Sequence, residues 1–492
     1  MWIRRCEIDA KIETPFPVPT QVVSNEEFIP PPQSDAQLEV EARTLELVEQ
    51  PARKQGLSRR DFLRTGSGMA AGLMAMNMVF GNCYEVEAAE LTDQAAHQEK
   101  WPKDQFIFDV QTHHVDVEGH WYQNTQDGLA ALNFFKMLRP GFDAKDPKEL
   151  VTLFNLDHYV KEIFFDSDTV MAVISGVPTA TWENNILPPD RMVGTRKHVN
   201  DLSGSRRVLS HGLIRPNLGK PELDEMERQV KSLKIDAWKM YTGAETGKNA
   251  WWLDDEKVAY PFWERTAKLG VKNVCVHKGL PLGLFNEEHC MPRDVFKAAK
   301  DWPQLNFIIY HSGFRGFTPL ALKEPKVDDP QYIPWISQII KVCKDNPAVK
   351  NIYFELGSTF GMTSAYAPDV CMHMLGQMLQ VPNGEDRILW GTDSIWGGSP
   401  QSQIERMRRF KIKDEFIEKY QYPQVTDKIK AKIFGLNAAR LFNVDPKAAR
   451  KALKTDKLAA LREEYKTTFQ PANTQYGWVW EGAGKPHVPI GG

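Results

Sequence analysis

The amino-acid sequence predicts an α/β protein, a closed (β/α)8 TIM barrel with additional helices and an irregular tail at its C-terminal end. Short β-branched and aromatic runs alternate with segments of helical period, as parallel strand–helix units require. Eight alternations occur, and no glycine-rich turn follows the first strand, so a barrel is favoured over a dinucleotide-binding open sheet. The predicted strands are 106–111, 169–175, 208–214, 237–241, 271–277, 306–311, 351–355 and 388–393.

Amphipathic segments between these strands predict the outer helices of the barrel. Apolar residues recur there at spacings of three and four positions, with charges between them, at 222–233, 259–269, 293–301 and 333–344. The N-terminal extension is rich in Pro, Glu and Val without periodicity, so we expect it to be disordered. The expected organisation is an extension at 1–57, a signal segment at 58–89, the barrel at 100–445, and a C-terminal helix and tail at 446–492.

Composition excludes several classes of protein. A formal net charge of -3 gives no basic field for a nucleic-acid backbone, so nucleic acid is not an expected partner. The six cysteines include no C-x-x-C pair, which argues against a disulfide framework and against a thiolate zinc site. No apolar run is long enough to span a bilayer, so no integral membrane span is expected after signal removal.

The segment at 58–89 carries the order of residues found in export signals. Arg59 and Arg60 are followed by an apolar pair at 62–63, a third basic residue and a Gly/Ala-rich stretch at 65–80. The chain here resembles a twin-arginine signal, with 86–88 as its expected cleavage point. The resemblance implies export of the folded protein by the twin-arginine machinery, to the periplasm or otherwise out of the cytoplasm. A chance amphipathic helix is the alternative.

Four residues that bind metals or move protons stand at the ends of predicted strands: His113, His277, His311 and Asp393. In a parallel barrel the C-terminal strand ends meet at one mouth, so these side chains are expected to lie together. Imidazoles plus a carboxylate suit zinc, and also manganese or iron, and such ions activate water. A structural role is the alternative for each histidine taken alone.

Short motifs, one per strand, resemble those of the amidohydrolase superfamily, particularly the branch that holds hydrolases and non-oxidative decarboxylases. The resemblance runs from about residue 106 to 444 and is carried by the following residues: Asp109-Val110-Gln111-Thr112-His113, Trp238-Lys239, Val276-His277-Lys278-Gly279, Tyr310-His311-Ser312-Gly313, Gly391-Thr392-Asp393 and Phe434-Gly435-Leu436-Asn437-Ala438-Ala439-Arg440-Leu441.

The resemblance assigns roles to these strand-end residues. His113 and His277 would be metal ligands, and Asp393 a ligand or the base that takes a proton from water. His311 would bind a second metal ion, or act as acid, base and substrate-polarising group. Lys239 stands where some family members carry a carboxylated lysine between two ions; an ammonium paired with a carboxylate is the alternative.

Gln111 departs from the family pattern, which has His or Glu at this position. An amide binds transition metals more weakly than imidazole, so the sequence favours one ion, held by His113, His277 and Asp393 with Gln111, His311 or Lys239 as further candidates. Strand alternation turns His114 to the other face, where it is expected to support the site. Glu355, at the end of the seventh strand, is expected to orient a histidine or to pair with Lys239.

Residues in the loops after the strands are candidates for binding substrate. Arg315 and Lys278 could hold a substrate carboxylate, although salt bridges to loop acids explain them equally well. Aromatic residues could wall a pocket for an aromatic or carboxylate-bearing small molecule, or could be ordinary packing. They are Trp121, Trp251, Trp252, Phe285, Phe314 and Trp396.

The function predicted from these observations is that of an exported, metal-dependent hydrolase. Water activated on a divalent ion, zinc first, attacks an amide, lactone or ester carbonyl, with Asp393 and His311 as catalytic groups. A decarboxylase or hydratase on the same barrel is the second hypothesis. A metal-free binding or assembly protein, suggested by Gln111 and the aromatic tail, is the third. The tail also suggests a homo-oligomer.

Overall fold

The computed structural model of the protein describes most of the barrel, the helices that precede it in the chain and the helices that follow it. Its described residues are 2–4, 16–21, 32–93, 100–101, 104–119, 151–152, 154–177, 185–243, 250–281, 285–317, 327–468 and 478–480. Trp121, one of the predicted pocket residues, lies outside them.

Eight parallel strands form the barrel, in the order in which they occur in the chain. The barrel is closed between its first and last strands by backbone hydrogen bonds from Val110 N–H to the Trp390 carbonyl (3.0 Å) and from Asp393 N–H to the Gln111 carbonyl (2.9 Å). The predicted (β/α)8 fold is therefore confirmed. The strands are β1 Phe108–Thr112, β2 Met171–Ile174, β3 Val208–Leu213, β4 Ala237–Tyr241, β5 Asn273–His277, β6 Asn306–Tyr310, β7 Ile352–Glu355 and β8 Ile388–Leu389.

Helices follow the strands and cover the barrel. The helices of the barrel layer are Leu156–Val160, Pro189–Ser203, Lys220–Arg228, Tyr260–Leu269, Glu287–Cys290, Val295–Asp301, Ile336–Asp345, Thr359–Tyr366, Pro368–Leu379, Gln401–Arg409, Asp414–Tyr420, Asp427–Ala431 and Asn437–Leu441. Three of them are extended or joined by a π-helical turn, at Lys161–Phe165, Gln229–Leu233 and Lys432–Leu436. Single 3-10 turns occupy Ala88–Leu91, Pro216–Leu218, Pro292–Asp294, His311–Gly313 and Gly384–Asp386. None of the helices in the described ranges is long and apolar enough to cross a membrane.

The N-terminal region contains three helices: α1 Asp35–Lys54, α2 Arg59–Leu63 and α3 Gly66–Phe80. Helix α1 lies within the extension that the sequence led us to expect as disordered. It begins with a capping box between Ser34 and Gln37, and it buries Val40, Thr44, Val48 and Ala52 at a spacing of four residues. The proposed division of the chain, its export and its oligomeric state stay predictions.

The C-terminal helices Pro446–Ala452 and Lys457–Thr468 are held to the barrel by ion pairs. Arg207 contacts Asp456 at 3.1 Å, and Arg462 contacts Asp168 at 2.8 Å. Beyond these helices, strand Trp478–Trp480 of the aromatic tail pairs antiparallel with strand Trp2–Arg4. The tail therefore pairs with the other end of the same chain.

Side chains fill the barrel interior, as they do in barrels of this size. The lower layers are apolar and include Leu209, Ile308 and Leu389. The cysteines in the described ranges are free and buried. The polar residues of the interior lie above these apolar layers, at the C-terminal mouth.

Candidate active site

Strand β1 directs Gln111 and His113 into the barrel, since alternate residues of a strand share a face. Both side chains are buried. Asp109, two residues earlier, accepts backbone hydrogen bonds from Gln111 and Thr392, each at 3.1 Å. Burial raises the pKa of Asp109 to about 7, although the bonds from Thr392 act in the opposite direction. Asp109 thus ties β1 to the segment after β8 and fixes the position of the two side chains beside it.

Asp393 follows β8 and contacts three neighbouring side chains. Gln111 Nε2 donates to its Oδ1 (2.8 Å), Ser358 Oγ donates to its Oδ2 (2.7 Å), and His113 Nε2 lies 3.1 Å from Oδ1. Burial alone would raise the pKa of Asp393, but the contact with His113, the nearby His311 and the Ser358 bond together lower it to about 2. Asp393 is therefore a carboxylate in a fixed orientation at neutral pH.

His277 and His311, at the ends of β5 and β6, form a second pair. His277 Nδ1 and His311 Nε2 are 3.1 Å apart, and His311 Nδ1 lies 2.9 Å from the Gly357 carbonyl. Burial lowers the pKa of His311 to about 4 and that of His277 well below its usual value. Both imidazoles are therefore neutral.

The hydrogen-bond partners of this pair assign its tautomers. A carbonyl oxygen only accepts, so the Nδ1 of His311 carries its proton and its Nε2 is the acceptor. In the tautomer that satisfies the shorter contact, His277 Nδ1 donates to it, which makes His277 Nε2 an acceptor nitrogen too. That nitrogen faces another acceptor, the Leu280 carbonyl, at 3.4 Å. The pair thus presents one nitrogen suited to binding a metal and one suited to accepting a proton.

Glu355, at the end of β7, supports the histidine pair from below. Its Oε2 accepts the backbone N–H of His311 (3.0 Å), and its Oε1 accepts that of Gly357 (2.6 Å). Burial raises its pKa well above the usual range. A Cβ on Gly391 would overlap Glu355 Oε1, so a glycine there leaves room for the carboxyl group. Glu355 thus holds the backbone at His311 and Gly357, and its role in orienting a histidine stays a prediction.

Lys239 rises from β4 with its ammonium against two phenol rings. Its Nζ lies 3.8 Å from the ring centre of Tyr310 and 4.9 Å from that of Tyr241. Burial is the largest cause that lowers the pKa values of His277 and His311, and Lys239 is a further cause that lowers both. The side-chain nitrogen of Lys239 is therefore buried close to the histidine pair.

Two of the predicted pocket aromatics contact the site histidines. Trp396 stacks on His113 with ring centres 5.3 Å apart, and Phe285 lies 5.2 Å from His277. Tyr241, which the sequence analysis did not single out, stacks on His277 at 4.7 Å. Both histidines thus have one face covered by an aromatic ring.

Other predicted site residues bind partners elsewhere. His114 Nε2 contacts Thr195 Oγ1 at 2.7 Å on the outer face of β1, as strand alternation predicted. Lys278 is buried in an ion pair with Asp294 at 2.8 Å. Arg315 pairs with Glu287 at 2.8 Å. The salt-bridge alternative therefore describes both cations in this structure.

Gln111 and the remaining pocket aromatics have separate roles. Gln111 contacts Asp393, whereas Trp251 donates to the Tyr241 carbonyl (3.1 Å) and Trp252 stacks on His289 (4.2 Å). Phe314 is buried in the outer core. Of these residues, only Gln111 contacts Asp393.

Sequence reasoning missed Ser358 and His211. Ser358 sits in the loop after β7 and binds Asp393, a contact that no local pattern signals. His211 lies in the middle of β3, where a strand-end search does not look, and its Nε2 is 3.2 Å from Tyr310 Oη. Tyr310 in turn donates to the Val110 carbonyl (2.6 Å). His211 and Tyr310 form a polar layer directly beneath the site.

The chemistry of these donors fits a divalent metal ion. Gln111 Oε1 and His113 Nδ1 are buried without a hydrogen-bond partner among the described residues, and His277 Nε2 faces a carbonyl. Imidazole and carboxylate are the ligands of zinc, manganese and iron sites. The described side chains form two pairs of donors, however, and no three acidic, histidine or cysteine side chains among them converge on one point. The donor set is present, in a paired arrangement.

Comparison with known protein families supports the resemblance for more than half of the barrel. Residues 204–444 match the family model described as amidohydrolase. This span contains His277, His311 and Asp393 but not β1. A comparison with curated proteins finds no match.

Solved structures are similar to the chain at low identity. They include an uncharacterized TIM-barrel protein from Bordetella bronchiseptica (15% identity, 70% of this chain and 99% of that one, TM-score 0.43). They also include 2,6-dihydroxybenzoate decarboxylase from Rhizobium (15% identity, 69% and 99%, TM-score 0.38) and 4-oxalomesaconate hydratase from Rhodopseudomonas palustris (14% identity, 74% and 100%, TM-score 0.42).

Proposed function

We propose that this protein is a metal-dependent hydrolase of the amidohydrolase superfamily, which uses water to open an amide, lactone or ester. The observation that carries the proposal is two buried groups of donors at the C-terminal mouth of the barrel, His113 with Gln111 and Asp393, and His277 with His311. The amidohydrolase family match over 204–444 supports the assignment to the superfamily.

One divalent ion is the expected cofactor, with zinc first and manganese or iron as alternatives. His113, His277 and Asp393 would hold it. When bound, such an ion supplies Lewis acidity that makes water acidic and polarises a carbonyl. Gln111 would support the site by donating to Asp393 (2.8 Å) rather than by adding a charged ligand.

Asp393 and His311 are unprotonated at neutral pH, which favours a reaction that begins with proton transfer to one of them. Asp393, with a pKa of about 2, and His311, with a pKa of about 4, are both in their basic forms at neutral pH. His311 Nε2 is an acceptor because its Nδ1 is bound to the Gly357 carbonyl. Asp393 can take a proton from water in this state, and His311 would stabilise the charge that develops on the carbonyl oxygen once its Nε2 has in turn received that proton.

Lys239 favours a second candidate function, non-oxidative decarboxylation. A buried ammonium beside the histidine pair is suited to an anionic substrate, such as an aromatic acid, because charge is poorly screened there. The two functions differ in their products: hydrolysis consumes water and yields an acid, whereas decarboxylation releases carbon dioxide.

Metal analysis tests the proposal. Elemental analysis of the purified full chain should find about one transition-metal ion per chain, lost in His113→Ala and kept in the matched variant His114→Ala. The two histidines are adjacent and buried, but only His113 lies by Asp393. Metal-loaded protein would then be assayed with aryl esters, lactones and anilides for released acid, and with hydroxybenzoates for carbon dioxide. A metal-replete preparation without bound metal would refute the proposal.

A further inference from the structure

The segment that resembles an export signal is folded against the barrel. We refer to residues 32–93 as the N-terminal arm. Helix α3 of this arm buries most of its length, including Met69, Leu73 and Met76. An unfolded, transient leader needs no such contacts, so the arm has the burial expected of a structural layer.

The small residues of α3 have a packing role in this arrangement. Ala70, Ala71 and Ala75 are fully buried. A Cβ on Gly68 would overlap the Phe62 carbonyl oxygen, so a glycine is required for α2 and α3 to pack this closely. The Gly/Ala-rich composition that resembles a signal is thus explained by close helix packing. Phe62, the aromatic residue of the motif, is itself fully buried.

The chain after α3 is joined to the barrel by backbone and side-chain bonds. Glu85 N–H donates to the Arg409 carbonyl (2.7 Å), and Lys411 N–H donates to the Cys83 carbonyl (3.0 Å). Tyr84 is fully buried, its hydroxyl donates to the Ser364 carbonyl (2.5 Å), and its ring packs edge-on against Phe410. Tyr84 therefore anchors the arm in the core.

Asn77 connects this anchor to α3. Its Oδ1 accepts the backbone N–H of Cys83 (3.0 Å) and of Tyr84 (2.9 Å), while its Nδ2 donates to the Tyr84 carbonyl (2.8 Å). Three bonds from one side chain hold the turn after the helix in place. The helix and the anchor consequently dock as one unit.

The expected cleavage point at 86–88 lies between two such attachments. On its C-terminal side, Glu90 is buried, accepts a hydrogen bond from Trp101 Nε1 (3.1 Å) and pairs with Arg409 (3.4 Å). On its N-terminal side stands the Tyr84 anchor. Cleavage would separate α3 and Tyr84 from the barrel core that they complete.

We propose that the N-terminal arm is a permanent layer of the folded protein and is not removed at 86–88 in its working form. The contacts of Tyr84, Asn77 and Glu90 carry this inference, and it does not depend on the reaction that the barrel performs. The exposed pair Arg59 and Arg60 remains at the start of α2, on a helix whose apolar side faces the arm's own core.

Two measurements test the proposal on the full chain. Peptide mapping of protein purified from a host with the twin-arginine machinery should recover an uninterrupted peptide across residues 86–88. Tyr84→Ala should lower the melting temperature by about 5 °C or more, because a buried aromatic ring is lost. Met78→Ala is the matched control in the same arm, since Met78 is 55% exposed, and its melting temperature should stay within about 1 °C of that of the wild type.

Either of two results would overturn the proposal. One is a working protein whose chain begins at residues 87–89. The other is a Tyr84→Ala variant as stable as the Met78→Ala control. If Tyr84→Ala does not fold, Tyr84→Phe keeps the ring and removes only the bond to Ser364, and it should still melt below the wild type.

Discussion

Removal of the Ser358 hydroxyl should weaken metal binding without disturbing the barrel. Ser358 Oγ donates to Asp393 Oδ2 at 2.7 Å, in a buried site, and so holds the other carboxylate oxygen toward Gln111 and His113. A hydrogen bond to a charged group contributes about 1.5–3 kcal/mol. If that energy keeps Asp393 in its ligand orientation, Ser358→Ala should bind zinc roughly 10- to 100-fold more weakly.

The assay is a competition titration of the apoprotein with zinc and a chromophoric chelator at neutral pH. Thr195→Ala is the matched control, because it also removes a buried hydroxyl that contacts a histidine, His114, but on the outer face of β1. Both variants should lose some stability to denaturant, whereas only Ser358→Ala should lose zinc affinity. Equal zinc affinities for Ser358→Ala and the wild type would show that Asp393 is not positioned by this bond, and the reasoning about the site would fail.

Two further predictions concern packing and pH. Gly391→Ala places a Cβ against Glu355 Oε1 and should lower the free energy of unfolding by ~2 kcal/mol or more. In the control Gly194→Ala the added Cβ meets nothing within 4 Å, so this variant should be neutral or slightly stabilised. Equal denaturation midpoints for the two variants would contradict the close approach of Glu355 to Gly391. Burial lowers the pKa of His114 from 6.5 to about 4, so the unfolded chain binds more protons between these values, and stability should fall by up to roughly 3 kcal/mol as the pH falls through that window. Denaturation of the apoprotein at several pH values should give a shallower slope for His114→Gln than for the wild type, and equal slopes would contradict the prediction.

The barrel could be predicted because each strand carries its own signal. A strand buried on both faces must be apolar along its length, and in this chain a polar residue marks where several of the strands end. Residues 237–241 were predicted and observed with the same bounds. The predicted strand at 271–277 begins two residues later, at Asn273, where its pairing with Asn306 of β6 begins. Local pattern therefore gives the strands, and tertiary pairing sets their ends.

The opposite facing of His113 and His114 could also be predicted from local pattern. Alternation along β1 places His113 by Asp393 and His114 by Thr195. Ser358 could not be found in this way, since its partner is 35 residues away and the two meet only when β7 and β8 pair. Lys278 and Arg315 look like substrate-binding cations in the sequence, but their acidic partners come from a neighbouring loop and helix.

The charges of the site argue for one ion rather than two. Of the carboxyl groups at the mouth, Asp393 is ionised, whereas burial keeps the pKa of Glu355 well above its usual range. Gln111 adds no charge, and Lys239 brings an ammonium next to the histidine pair. With Glu355 uncharged and Lys239 an ammonium, one divalent ion with Asp393 leaves an excess of about two positive charges, and a second divalent ion would double that excess in a buried space where each uncompensated charge costs several kcal/mol. On these charges, a neutral residue at 111 is consistent with the one-ion site proposed above.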